Sequence, residues 1–166
     1  MSYHLWPIVM QNEECSVPDV ILYGVWKQIV DEGKAGQLFY GGTVKCAADF
    51  LTFLKDPMNL PVLVVDEEAK KIVFLAWLNG LQDGHAYGHF CSLGPFKRGA
   101  VNAFLDYWRS WNMFRLIIGL TPETNDLALR AIRMAGFKTL GILPRLCMMA
   151  HENNALVGGV ISYIEF

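Results

Sequence analysis

Hydrophobic residues along this chain recur with two different periods. Between residues 19 and 33 they fall three and four apart, as Leu22, Val25, Trp26, Ile29 and Val30, which makes one buried face of a helix. Ser16, Pro18 and Asp19 read as its start, with Ser16 as the capping side chain and Gly33 as the stop. A second helix is predicted from Thr43 as cap, through Ala47, Phe50, Leu51 and Leu54, to Asp56-Pro57. The first ten residues are apolar and suit a strand or an irregular arm.

From Leu60 the period shortens. Pro61–Val65, Ile72–Leu78 and His85–Leu93 read as three strands, joined by the polar turns Asp66–Lys71 and Gln82–Gly84. Short turns of this kind give an antiparallel meander. After Gly94-Pro95 the helical period returns, with Val101, Phe104, Leu105, Trp108 and Trp111 on one stripe. Phe114–Leu120 is a continuous apolar strand. Thr124 or Asn125 caps a further helix, with Ala128, Leu129 and Ile132 inward and Gly136 at its end. Phe137–Leu143 is a strand, and Leu146–Ala150 and Leu156–Phe166 supply one or two more. A meander continuing into β-α-β-α-β crossovers predicts an α/β fold with a mixed sheet and helices on both faces. One domain is expected over residues 1–166, with a helical part (1–60), a core (60–143) and C-terminal strands (144–166).

Composition narrows the function. Of 166 residues, 53% are hydrophobic and only 18% charged, below the roughly 25% usual for globular chains, which excludes a disordered protein. The net charge of −2 lacks the basic excess of a phosphate-neutralising nucleic-acid binder. No apolar run approaches the ~20 residues of a membrane span, and no secretory signal is visible, so a cytoplasmic protein without a membrane partner is expected. Cys15, Cys46, Cys91 and Cys147 are scattered, without a zinc or disulfide spacing. A chain this apolar and this weakly charged also suggests a surface covered by another chain, as in a homo-oligomer or protein assembly.

Two local patterns carry chemistry. Pro95, Phe96, Lys97, Arg98, Gly99, Ala100, Val101, Asn102 and Ala103 form a glycine-bearing turn into a helix. Asn125, Ala128, Gly136 and Phe137 follow the next strand at fixed spacing. With this element order, the chain resembles the GNAT superfamily of acyl-CoA N-acyltransferases. Arg98, Gly99 and Ala103 match that family's cofactor turn, whereas Val101 stands where its central glycine would be. Ile132 stands where an aromatic acid is common. The resemblance implies that Leu93, Arg98, Gly99, Ala100, Val101, Asn102, Ala103 and Asn125 hold acetyl-CoA or another acyl-CoA, largely through backbone N–H groups at a helix N-terminus. Val101 keeps its N–H, but its branched side chain is expected to crowd the diphosphate. The pantetheine arm would lie between His85–Leu93 and Phe114–Leu120, parallel strands that splay. An unidentified primary amine would be the second substrate, bound by residues 1–60.

On the third strand His85, Tyr87, His89 and Cys91 alternate onto one face. His89 is the expected base, with an imidazole pKa suited to the task, and Tyr87 a candidate acid for the leaving thiolate. A Cys91–His89 nucleophilic pair lacks a third, orienting group. His85 and His89 lie about 13 Å apart on a strand rising ~3.3 Å per residue, too far to share one metal ion. Glu123 is a candidate contact for an amine, or simply an acid near a helix N-terminus. Trp6, Trp26, Trp77, Trp108 and Trp111 are read as packing residues. Lys97 and Arg98 are electrostatic partners for a pyrophosphate if the turn binds one. A second reading stays open: a chain that keeps the fold but has lost the activity, and works through protein contacts.

Overall fold

Polar turns alternate with apolar runs, and each run becomes an element of a computed structural model that describes residues 2–166. In chain order these are β1 (Tyr3–Pro7), a short hairpin of β2 (Met10–Gln11) and β3 (Glu14–Cys15), α1 (Asp19–Asp31), α2 (Ala35–Leu38) and α3 (Ala47–Lys55). Then follow β4 (Leu60–Asp66), β5 (Lys71–Gln82), β6 (His85–Ser92), α4 (Arg98–Ser110), β7 (Leu116–Pro122), α5 (Asp126–Met134), β8 (Lys138–Met149), a 3₁₀ turn (Ala150–Glu152) and β9 (Ala155–Glu165). Seven strands form one sheet in the order β1-β4-β5-β6-β7-β9-β8. The β4-β5-β6 meander is antiparallel, and α4 carries the chain over to β7, which runs parallel to β6. The last strand, β9, inserts between β7 and β8, antiparallel to both.

The central strands are apolar on both faces because both faces are covered. Phe74, Ala76 and Leu78 of β5 pack with Val101, Phe104 and Trp108 of α4 and Ile132 of α5. Leu75 and Trp77, pointing the other way, pack with Leu22, Val25 and Ile29 of α1 and Phe50, Leu51 and Leu54 of α3. This is the alternation of a pleated strand filling two cores at once.

Several expectations are corrected in detail. Ser16 does not cap α1. Its hydroxyl accepts from the Val9 N–H and donates to the Pro7 carbonyl, and Pro18 stands at the N-cap. Thr43 does not cap the next helix, which begins at Ala47 with Cys46 at its N-cap, and a short extra helix, α2, precedes it. Trp111 leaves the apolar stripe, since α4 ends at Ser110 and Asn112 adopts a positive φ; it is 46% exposed. Phe137–Leu143 and Leu146–Ala150 are one strand, β8, interrupted by an irregularity between Leu143 and Cys147. No helix among the described residues is long and apolar enough to cross a membrane.

Val101 is the most informative correction. Its side chain is wholly buried under α4, turned toward the sheet. It points into the core and not out from the helix N-terminus. Gly99 also has a packing reason, because a Cβ there would lie 2.7 Å from the Tyr3 ring. Replacing Val101 with alanine removes two buried methyl groups, and the expected loss is about 2 kcal/mol of unfolding free energy. Chemical denaturation checks this; an unchanged midpoint would mean that position 101 is not in the core.

Candidate active site

β6 and β7 pair at only three positions, His85 with Leu116, Ala86 with Ile117 and Tyr87 with Ile118. Beyond them the strands part. At the fork, Ile117 fills the space a side chain at Gly88 would need, 2.5 Å from an added Cβ. The Leu93 N–H donates to the Val73 carbonyl at 2.9 Å, so odd-numbered residues of β6 turn their backbone groups to β5. By alternation, the N–H and C=O groups of Phe90 and Ser92 face the gap.

The gap is a cavity of about 530 Å³. Gly88–Ser92 form one wall, and Gly119–Pro122 with Asn125, Ala128 and Ala131 form the other. Gln37 and Leu38 of α2, with Tyr40 just after it, close it from a third side. This third side is held by the turn between β8 and β9. The Ala150 N–H donates to the Tyr40 carbonyl at 2.7 Å, and Gly36 and Gly42 lie so close to His151 and Ala150 that an added Cβ would approach within 2.8 Å.

His89 lies on the cavity wall. Its ring stacks on Trp77 with centroids 4.9 Å apart, and its Nε2 is 3.2 Å from the Asn79 Oδ1. Burial pushes its pKa down to about 4, so the imidazole is neutral at physiological pH and the expected near-neutral pKa is corrected. Cys91, on the same wall, stays a thiol, its pKa pushed up to about 11 by burial. Tyr87 does not line the cavity. It sits where the strands are still paired, 43% exposed, with its ring over Gly80. The tyrosine that does line the cavity is Tyr40, held protonated by burial with a pKa of about 12 and with the Cys147 thiol beside it. Nothing in residue spacing marks Tyr40, because the loop after α2 has no period.

The turn at the start of α4 lies beyond the cavity's end at Gly94 and Phe96. Ala100 and Val101 donate their N–H groups to the Lys97 carbonyl, whereas those of Arg98 and Gly99 have no backbone acceptor among the described residues. Asn102 is exposed, and Ala103 is half-buried on the helix flank. The Lys97 ammonium is committed to the buried Asp66 at 2.6 Å, an ion pair that ties the β4–β5 turn to the N-cap of α4. Leu93 is turned away from the gap: its N–H is spent on β5 and its side chain is in the core. Asn125 lines the cavity and caps α5, its Oδ1 accepting from the Ala128 N–H at 3.1 Å. Glu123 lies outside the cavity lining and accepts from the Gly158 N–H at 2.7 Å. At the mouth, Glu32 accepts from the Gly94 N–H, and Lys34 pairs with Glu32 and donates to the Ser92 carbonyl at 2.7 Å.

No family model matches the sequence, and no curated protein matches it. Solved structures do match its fold. An acetyltransferase of Salmonella typhimurium that modifies the N-terminal serine of a 50S ribosomal subunit protein superimposes with a TM-score of 0.74 at 8% identity, over 90% of this chain and 91% of that one. The spermidine/spermine N-acetyltransferase SpeG of Vibrio cholerae gives 0.69 at 14% identity, over 99% and 95%. Mycobacterium smegmatis RimJ, solved with a CoA-disulfide, gives 0.70 at 12% identity, over 90% and 79%. The chain has the GNAT acetyltransferase fold. At such identities the likeness carries architecture alone. In this GNAT fold the forked pair is β6 and β7, the strands expected to splay.

The protonation state of His89 is directly measurable. Its ring signals in NMR are expected to stay flat between about pH 8 and about pH 6, the range where an exposed histidine titrates, and to move only near pH 4. The unfolded chain binds this proton near the ordinary 6.5 and the folded chain only near 4. Stability therefore falls as pH drops below 6.5 and levels off below 4. A ring that titrates near neutrality would contradict its burial.

Proposed function

We propose that this chain transfers an acyl group, acetyl in the simplest case, from a CoA thioester to a primary amine by direct attack in a ternary complex. The observation that supports this best is the fork itself, an unpaired strand edge inside a sheet, opening onto a largely apolar cavity. An extended amide-bearing arm pairs with such an edge as a strand would. The open N–H groups of Arg98 and Gly99, at the positive end of α4, suit a diphosphate just beyond the cavity. Asn125 and α5 form the opposite wall. The amine would enter past Gln37, Leu38 and Tyr40, in the helical N-terminal part.

In the reaction the amine nitrogen bonds to the thioester carbon, and the carbon–sulfur bond breaks. A backbone N–H of Phe90 or Ser92 faces the developing oxyanion. Once bonded to that carbon the nitrogen is strongly acidic, and it can give its proton to a weak, neutral imidazole such as His89. With a pKa of about 4, His89 does not retain the proton at neutral pH. It returns it to the departing thiolate, so the proton lost by nitrogen is the one gained by sulfur. Tyr40, kept protonated, donates a hydrogen bond to that sulfur, a role the sequence pattern suggests for Tyr87.

A second reading has its own observation. Leu140, Ile142, Leu143, Leu146 and Met148 of β8 are all at least 43% exposed, on a strand whose outer edge is unpaired. Such a surface favours a protein that keeps the fold and acts through association.

Isothermal titration separates the two readings. Saturable binding of CoA and acetyl-CoA is expected, and no heat at millimolar coenzyme removes the transferase reading. His89→Ala and Tyr40→Phe are each expected to lower kcat by about tenfold or more while coenzyme affinity stays near wild type. Release of free thiol measures this, and unchanged turnover in either variant clears that residue. Arg98→Glu is expected to weaken coenzyme binding by about tenfold, as a like charge at the diphosphate would; unaltered affinity would place the diphosphate elsewhere.

A further inference from the structure

We propose that Asn79 and Asn59 are positioning residues that hold the His89 imidazole in a single tautomer, with hydrogen on Nε2 and the lone pair of Nδ1 free. Its catalytic purpose rests on the transferase reading; its geometry does not. The string begins at a group with no choice. The Phe53 carbonyl can only accept, so the amide nitrogen of Asn59 faces it, at 2.8 Å. That leaves the Asn59 Oδ1 toward Asn79, and an oxygen there requires the Asn79 amide nitrogen, at 3.4 Å. The Asn79 Oδ1 then faces the His89 Nε2 at 3.2 Å, and the nitrogen must donate. Each amide orientation forces the next, from a backbone carbonyl in the last turn of α3 to a ring on β6. Stacking on Trp77, with planes 9° apart, removes the remaining freedom of the ring. Asn59 is itself buried, so water competes poorly for its amide.

Nitrogen NMR of the imidazole tests the assignment in the free protein. At neutral pH the wild type should show a protonated Nε2 and an unprotonated Nδ1. Asn79→Asp keeps an acceptor in place and adds a charge, so it should raise the His89 pKa from about 4 toward 6.5, and the neutral ring seen above that pKa should keep the same tautomer. Asn79→Leu should lose the tautomer preference and lower kcat about tenfold, with KM for the coenzyme unchanged. A wild-type proton on Nδ1, or a wild-type tautomer in Asn79→Leu, overturns the proposal whether or not the chain binds CoA.

Separate contacts at the mouth of the fork support a second inference. We infer that Glu32 and Lys34 form an internal occupant of the open strand edge, which a coenzyme arm must displace. Ser92 and Gly94 share the phase that faces the gap. Lys34 donates to the Ser92 carbonyl at 2.7 Å, and Glu32 accepts from the Gly94 N–H at 2.9 and 3.1 Å. A donor to one carbonyl and an acceptor for the N–H two residues on is the pair of bonds that a single residue of a parallel neighbouring strand would make. The two side chains are bonded to each other, and Gln28 also bonds Glu32, so the unit is held together without a ligand. Between them Gly33 has φ +68, a conformation that costs glycine little and lets the segment fold back over the end of β6.

The test compares CoA binding by the wild type, Glu32→Ala, Lys34→Ala and the double variant. Removing the occupant should tighten binding by about tenfold, within the range of ordinary coupling between competing contacts. In the free protein, hydrogen exchange at the Gly94 amide should quicken in Glu32→Ala, a readout that needs no ligand. Affinity that is equal or weaker in the variants overturns this inference alone, because the pair would then be neutral or part of the binding site. No binding by any of the four overturns the coenzyme reading together with it.

Discussion

A β-sheet is held by backbone pairing, and this one gives up that pairing in its middle. Between β6 and β7 three residue pairs join and the rest separate. Buried backbone groups left unpaired are costly, so a fork of this kind persists only where something else satisfies or hydrates it. Here the neighbouring elements bear on the fork. α4 and α5 pack against the sheet on one face, α1 and α3 on the other, and β9 completes the far edge of β7. Glu32 and Lys34 satisfy part of the open edge, and the cavity receives the remainder.

The low charge of the chain also has a local meaning at this site. Burial holds the imidazole of His89, the thiol of Cys91 and the hydroxyl of Tyr40 in their uncharged forms at neutral pH. The acid–base pair at the mouth, Glu32 with Lys34, is mutually neutralised. On the transferase reading proposed above, a thioester and its departing sulfur would therefore meet dipoles and neutral donors rather than fixed charges. Such surroundings favour charge that develops briefly over charge that is bound permanently.

Much of this was legible in the sequence, because it depends on periodicity. The meander, the crossover through α4, the strand expected at Phe114–Leu120 and found at Leu116–Pro122, and the cap at Asn125 all follow from where apolar residues recur and where turn residues interrupt them. Val101 carries two signals in the sequence, a motif position beside a ligand and a place on the stripe with Phe104, Leu105 and Trp108; the fold follows the stripe, because burying a branched side chain is favourable. What could not be read is what depends on contacts distant along the chain. The link from Phe53 through Asn59 and Asn79 to His89, the reach of Lys34 to Ser92, and the approach of Tyr40 to the cavity join segments with no shared period. Position 87 and position 40 each offer a tyrosine, and only the folded chain distinguishes them.

The strap between Tyr40 and Ala150 has a consequence for size selection. Sheet and helices are rigid walls, but this side of the chamber is fastened to the β8–β9 turn by one backbone bond and by two glycines that leave no clearance. The width of the chamber on this side is therefore set by the β8–β9 turn, more than a hundred residues along the chain from the segment it secures.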